Sequence, residues 1–178
     1  MTITLAHSGH HVPPTELPRI LYDPTLAFVH PKLIEAYAYW MERCGSRPLP
    51  RRSDLNPVAM RGFISHVGLF EVRRESDGSL DYFVRLAGGR IDDVFGWRGG
   101  RPLTDGLPPQ IARRWREPVD QVVKTGRPIR ARSRIAYENK IWMDGEMLYA
   151  PLGEQATAPD MIFFAFAVLS AKRETTET

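Results

Sequence analysis

Hydrophobic residues recur at helical spacing in two long stretches of the chain. The first stretch predicts a helix over 31–44, whose apolar stripe consists of Leu33, Tyr37, Trp40, Met41 and Cys44. The second predicts a helix over 108–125, whose stripe consists of Ile111, Trp115, Val119, Val122 and Val123. Pro31 suits a first helical position, and Gly45 and Gly126 follow the two ends. The pattern therefore predicts two amphipathic helices that each bury one face.

Five other stretches have the composition and spacing of β-strands, and we predict strands over 67–75, 80–87, 127–137, 141–152 and 160–170. Asp77-Gly78, between the first two, is the strongest short-range signal for a hairpin. The last strand is apolar on both faces through Met161–Leu169, which predicts a central strand that is covered on both sides. The helix over 31–44 is the obvious candidate for the second cover.

The third predicted strand alternates clearly. Ile129, Ala131, Ser133, Ile135 and Tyr137 point one way, and the opposite side holds Arg130, Arg132 and Arg134. We expect the arginine face to be solvated. Two turn signals follow, at 138–140 and at Asp144-Gly145. The first gives strands of ordinary length, so we expect the turn there and a bulge at Gly145.

The centre of the chain, 82–103, indicates a strand that breaks at Gly88-Gly89 into a short helix over 90–95, followed by Gly96. Two further short elements are expected. The segment 20–29 should form a turn of helix, and Asn56-Pro57 should begin a short helix that ends near Ser65.

Composition suits one globular domain: the chain has 178 residues, of which 43% are hydrophobic. We divide it into a disordered tail (1–19), an N-terminal helical extension (20–48), the main domain (49–171) and a frayed tail (172–178). The single cysteine excludes an intramolecular disulfide and a multi-cysteine metal site. With no signal-peptide pattern and no long apolar run, we expect a cytoplasmic protein. The net charge of +3 permits acidic partners without requiring them.

Several motifs, in this order, resemble a family of stand-alone bacterial PAS-like proteins. They are L-P-R-R-S-D-L-N-P (49–57), Y-F-V-R-L-A-G (82–88), F-G (95–96), V-V-K-T-G-R-P-I-R (122–130) and L-Y-A-P-L (148–152). The resemblance implies an α+β fold with a five-stranded antiparallel sheet in the order 2-1-5-4-3. Helices would lie on one face above a cavity, with the N-terminal helix as an extra element. It also implies a sensory or regulatory domain that binds a small molecule or a partner protein and signals through dimer or protein contacts.

Two hypotheses follow for how such a domain would work. In the first, an apolar ligand pocket is lined by Leu86, Phe95, Trp97, Leu103, Trp115, Val119, Ile135 and Phe164; the alternative is that these side chains fill the core themselves. In the second, the protein is a ligand-free interaction scaffold that forms a homodimer through the 31–44 helix. Its dimer contacts would be Leu33, Tyr37, Trp40, Met41 and Cys44, unless this stripe packs on its own domain.

The cofactor is unknown, and neither flavin nor haem is supported. Light-sensing flavin PAS domains carry a cysteine in an N-C-R-F-L-Q-like run, whereas Cys44 lies elsewhere and no such run exists. Haem PAS domains usually place a histidine on the long helix, but 108–125 contains none. His30 and His66 fit caps or structural polar groups better than iron ligands. The tail histidines, His7, His10 and His11, lack the rigid cage that a metal site needs.

Nucleic-acid binding and catalysis are the weaker hypotheses. The stripe of Arg130, Arg132 and Arg134 has no interleaved aromatic residues for base stacking, so nucleic acid is an unlikely partner. Asp92 and Asp93 are adjacent on a helix, where their side chains diverge by about 100° and cannot share one substrate atom. We expect no enzymatic activity, and the expected partner is an unidentified small molecule or regulatory protein.

Overall fold

The computed structural model describes residues 17–97, 99–135 and 143–171. Its regular elements are β1 (Leu21–Asp23), α1 (Pro31–Cys44), β2 (Val67–Arg74), β3 (Leu80–Ala87), α2 (Gly89–Phe95), β4 (Arg101–Pro102), α3 (Pro109–Thr125), β5 (Ile129–Arg134), β6 (Met143–Leu152) and β7 (Met161–Ala171). Two 3₁₀ turns, Arg52–Asp54 and Ile64–His66, lie between α1 and β2. Within these described ranges, no helix is long and apolar enough to cross a bilayer.

The strands form one antiparallel sheet in the order β1-β5-β6-β7-β2-β3-β4. The expectation of a five-stranded sheet is therefore corrected, because the described chain contributes seven strands. The two additional strands, β1 and β4, are three and two residues long and lie at the two edges. Segments this short carry too few alternating positions to be recognised from sequence.

The central strand β7 separates two hydrophobic cores. Ile162, Phe164 and Phe166 face the core that also contains residues of α2 and α3. Phe163, Ala165 and Ala167 face the core that contains Leu33, Ala36 and Trp40 of α1. The prediction that the 31–44 helix covers the second face of the central strand is confirmed. Both faces of β7 are buried because helices lie on both sides of the sheet.

Two short helical predictions are wrong. In 20–29 the chain forms β1 and then a turn, in which the Asp23 carboxylate accepts hydrogen bonds from the backbone N–H groups of Thr25 and Ala27. Over 57–63 the chain forms turns rather than a regular helix, although Asn56 Oδ1 does accept from the Val58 N–H at 2.9 Å. Burial of Met60 and Phe63 in the α1 core overrides the local helix signal here.

A glycine fixes the end of α3. Gly126 ends α3 with φ 63°, and a Cβ at this position would clash with the carbonyl oxygen of Ala156. The predicted bulge at Gly145 in β6 is wrong, because the extra residue lies in the neighbouring strand: Asp144 pairs with Ser170 and Gly145 with Val168, which leaves Leu169 of β7 unpaired. The predicted turn at 138–140, the tail 172–178 and the histidines at 7, 10 and 11 lie outside the described residues.

Candidate functional site

The space between α2, α3 and the sheet is occupied by packed aromatic rings. Phe95 stacks on Trp97 with ring centroids 4.9 Å apart and meets Trp115 edge-on at the same distance. Trp97 and Trp115 are themselves 4.5 Å apart. Phe164 of the central strand contacts this group through Trp97 at 6.1 Å. These contacts make the interior an aromatic cluster rather than an open pocket.

Only a small cavity remains beside this cluster, with a volume of about 30 Å³. Its lining includes three of the proposed pocket residues, Phe95, Trp115 and Ile135. Four more of the proposed pocket residues are buried in the same core but do not line the cavity: Trp97, Leu103, Val119 and Phe164. Because a cavity of this size accommodates about one water molecule, the alternative of a filled core describes this conformation.

Leu86 is the one proposed pocket residue that the structure places elsewhere, with 40% of its surface exposed. The register explains the error. Phe70 pairs with Val84, but Leu69 pairs with Leu86, so Arg85 is an extra residue in β3. One inserted residue reverses the alternation of a strand, and Leu86 therefore shares a face with Leu69 instead of Val84.

One wall of the cavity is polar. The Arg114 guanidinium on α3 donates to the Ser133 hydroxyl on β5, and both side chains line the cavity together with Tyr149 of β6. The Tyr149 hydroxyl is buried and donates only to Met147 Sδ, at 3.6 Å, among the described residues. Burial raises the pKa of Tyr149 well above its usual range, and desolvation lowers the pKa of Arg114. Two strong hydrogen-bond donors therefore border a small apolar space.

Residues 17–23 cross the gap between α3 and β5, and we call this segment the strap. Ile20 lines the cavity, and Leu17, Ile20 and Tyr22 pack against the aromatic core. The strap is held by β1, whose three residues pair with Arg130–Arg132 of β5, and by a 3.1 Å hydrogen bond from the Tyr22 hydroxyl to Glu117. The strap therefore covers the cavity at the edge of the sheet that β1 forms.

A buried ion network joins the strap to the start of α1. Arg130 lies 2.7 Å from Asp23 of the strap and 2.6 Å from Glu146, which is fully buried. Glu146 in turn accepts the backbone N–H groups of Val29 at 3.1 Å and His30 at 2.8 Å. The predicted solvated face of β5 is therefore wrong at Arg130, because an edge strand and the segment before α1 cover it.

The proposed dimer stripe on α1 is divided between the interior and the surface. Leu33 and Trp40 are buried against the sheet, and Trp40 Nε1 donates to the Pro151 carbonyl at 3.0 Å. Tyr37 and Cys44 are partly buried against the same core. Met41 is 52% exposed. For Leu33 and Trp40, the alternative that the stripe packs on its own domain describes the structure, and these two side chains are not available to a partner.

The cysteine and the two histidines that the structure describes do not fit a thiol-linked flavin or a haem. Cys44 belongs to the core on the α1 side of the sheet, opposite the cavity, where burial raises the pKa of its thiol. His30 caps α1 through Nδ1, and His66 Nδ1 bonds the Phe166 carbonyl at 2.9 Å. Among the described residues, no histidine or cysteine lines the cavity.

Sequence reasoning missed the polar residues of this region, namely Asp23, Arg114, Ser133, Glu146 and Tyr149. One signal was available. Glu146 is a charged residue within a strand that is otherwise apolar from Met147 to Leu152, and an acid in a buried strand requires a cationic partner. The chain does not indicate which of its 24 lysines and arginines that partner is.

Comparison with known proteins identifies one family. The model described as "PAS domain" matches residues 28–166. A solved LOV protein of Rhodobacter sphaeroides is 19% identical, with a TM-score of 0.41, over 58% of this chain and 59% of that chain. A point variant of RsLOV is 18% identical, with a TM-score of 0.42, over 63% of this chain and 64% of that chain. The chain thus spans less than two thirds of these structures. No curated protein matches the sequence.

Proposed function

Because this chain belongs to the PAS domain family, whose members are generally sensory or regulatory, we propose that it is a regulatory domain whose output is a contact between protein surfaces. The contact would be made by the outer face of α1, and its first partner would be a second copy of the chain. The inner face of the same helix packs on the central strands, so a change in the sheet has a direct route to the contact surface.

The observation that carries this proposal is the position of the exposed hydrophobic side chains. Among the described residues, six large hydrophobics are exposed, and four of them precede residue 48: Leu21, Val29, Ile34 and Met41. Ile34 and Met41 lie two turns apart on α1, with the exposed Ala38 between them. An apolar face of this kind on a helix that is already packed on its other side is typical of an interaction surface.

A nucleic-acid partner is less well supported. Of the three arginines on β5 that could form a basic stripe, Arg130 is 7% exposed and engaged with two carboxylates. Arg134 lies 3.8 Å from Asp144. The remaining exposed charge is small for a surface that must neutralise several phosphates.

Analytical ultracentrifugation over a range of concentrations tests the proposed contact. We expect the full chain to form a dimer, and Met41→Glu to convert it to a monomer with the same far-UV circular dichroism, because a charge in the centre of an apolar contact must be desolvated. The matched control is Val58→Glu, since Val58 is 72% exposed but lies outside α1. A wild-type chain that sediments as a monomer at every concentration, or a Met41→Glu chain that still dimerises, would rule the contact out.

A further inference from the structure

We propose that His30 and His66 form a proton-sensitive switch at the start of α1, in which protonation of the pair removes the cap of the helix and loosens its first turn. His30 precedes α1, and His66 ends the second 3₁₀ turn. The two partly buried rings lie side by side, with centroids 5.5 Å apart. His30 uses its ring as a hydrogen-bond acceptor and His66 uses its ring as a donor, so the two rings respond differently to a proton.

The His30 ring caps α1. Its Nδ1 accepts the backbone N–H of Lys32 at 3.2 Å, so this nitrogen is unprotonated and the neutral ring carries its proton on Nε2. In the imidazolium both ring nitrogens are donors, and neither can accept the Lys32 N–H. The usual cap residues, Ser, Thr and Asn, keep an acceptor oxygen at every pH, whereas histidine changes its charge between about pH 5 and 8. Protonation therefore removes this cap, which it would not do at an ordinary helix start.

His66 places a second titratable ring beside the first. Its Nδ1 lies 2.9 Å from the Phe166 carbonyl oxygen, which can only accept, so Nδ1 donates and the neutral ring keeps a lone pair on Nε2. A second proton can bind at Nε2 without loss of the bond to the central strand. His66 therefore stays in place when it becomes charged, and two neighbouring imidazolium rings repel each other.

The groups that face His30 set the direction of its pKa. Partial burial disfavours the imidazolium most, and the charges of His66 and Lys32 also oppose it. Glu146 of β6, whose carboxylate accepts the His30 backbone N–H at 2.8 Å, favours it, but Arg130 lies 2.6 Å from that carboxylate and offsets part of its charge. The pKa of His30 therefore lies below its ordinary value of 6.5. A lowered pKa means that the cap stabilises the attached turn above the ordinary value, and that this contribution is lost as the pH falls through the lowered one.

The first turn of α1 also carries part of the outer face of the helix. The Ile34 backbone N–H bonds the His30 carbonyl at 3.1 Å, and the Ile34 side chain is 48% exposed. Loosening of this turn would displace Ile34, so acid should weaken the dimer. This last step rests on the proposed function, whereas the switch at the start of the helix does not.

Hydrogen exchange of the full chain at about pH 7.5 and about pH 5 tests the switch. We expect the protection factors of the amides of residues 32–34, which correct for intrinsic exchange, to fall by about 2- to 30-fold at the lower pH, as for the loss of a cap. The matched variant is His30→Asn, whose amide oxygen can cap the helix and does not titrate, so its protection factors should be equal at both pH values. Wild-type protection that does not change, or an equal fall in His30→Asn, would overturn the switch.

The same measurement in the Met41→Glu chain separates the two proposals. A fall in protection there, with a wild-type chain that never dimerises, would disprove only the α1 contact. A wild-type dimer whose first turn keeps its protection at about pH 5 would disprove only the switch.

Nitrogen chemical shifts of the histidine rings keep the test decisive if His30→Asn fails to fold. We expect His30 to carry its proton on Nε2 at about pH 7.5 and to titrate with a midpoint below 6.5. His66→Gln should raise that midpoint, because it removes the neighbouring charge. A proton on Nδ1 of His30 at about pH 7.5, or a midpoint that does not rise in His66→Gln, would show that the pair does not act as a switch.

Discussion

Glu146 is a charged side chain whose loss should cost as much stability as the truncation of a large core residue. It is fully buried and binds Arg130 and the backbone N–H groups of Val29 and His30. Glu146→Gln keeps the shape but leaves Arg130 in a buried position with only Asp23 to balance its charge. Breaking a buried pair in this way costs about 3–5 kcal/mol, and urea denaturation should report a loss of that size in the free energy of unfolding.

The control for this substitution is Glu154→Gln. Glu154 also pairs with an arginine, Arg51 at 2.6 Å, but 63% of its side chain is exposed. Water screens such a pair, so its loss should cost less than about 1 kcal/mol. Similar losses in the two variants would mean that the network around Glu146 contributes no more than a surface ion pair.

Individual residues also show where strand alternation fails to predict the face of the sheet that a side chain occupies. Strand periodicity placed Ile129, Ala131 and Ile135 correctly on the buried face. It failed at Leu86, because the extra residue Arg85 reverses the pattern, and at Arg130, because an edge strand covers the face that should have been solvated. Both failures have a tertiary cause, and the local sequence carries no sign of either.

The strap is the element whose attachment should depend on pH. The Asp23 carboxylate accepts hydrogen bonds from Thr25, from Arg130 and from the Ala27 N–H. These hydrogen bonds lower the pKa of Asp23 from 3.8 to about 2. A depressed pKa means that the carboxylate stabilises the attached strap above the unfolded value, and that this contribution is lost as the pH falls from about 4 towards 2. The protection factors of the Tyr22 and Asp23 amides, which correct for the pH dependence of intrinsic hydrogen exchange, should therefore fall over this range.

Asp23→Asn identifies the source of that loss of protection. The variant keeps similar hydrogen-bonding geometry but cannot be protonated in this range, so the protection factors of the strap should be low already at neutral pH and should not fall further at pH 3. The lowered pKa values of Asp54 and Asp77 affect both proteins equally, because these residues lie far from the strap along the chain. An unchanged pH profile in the variant would show that another carboxylate releases the strap.

The longer elements could be predicted from the sequence, including the six-residue β5 and the seven-residue α2, whereas the shortest strands could not. The predicted helices over 31–44 and 108–125 differ from α1 and α3 by at most one residue at either end. In contrast, β1 and β4 were missed. The polar wall of the cavity was missed for a related reason, since Arg114, Ser133 and Tyr149 come from three elements that only the folded sheet brings together.

The whole molecule should unfold as one unit although it has two hydrophobic cores. Alternate residues of β7 belong to different cores, with Phe163 on the α1 side and Phe164 on the α3 side. Trp115→Ala in one core should cost about 3–5 kcal/mol, and Leu33→Ala in the other about 2–5 kcal/mol. Because β7 cannot keep one face packed while losing the other, both variants should show a single thermal transition at a lower temperature.

Far-UV circular dichroism and tryptophan fluorescence, recorded on the same samples, check whether that transition is single. The two signals should coincide in the wild type and in both variants, since α1 carries Trp40 and the other core carries Trp97 and Trp115. Separate transitions in Leu33→Ala, with α1 melting first, would mean that this helix is an independently attached layer. In that case a change in the sheet would have no rigid path to the outer face of α1, and the proposed contact would lose its link to the interior.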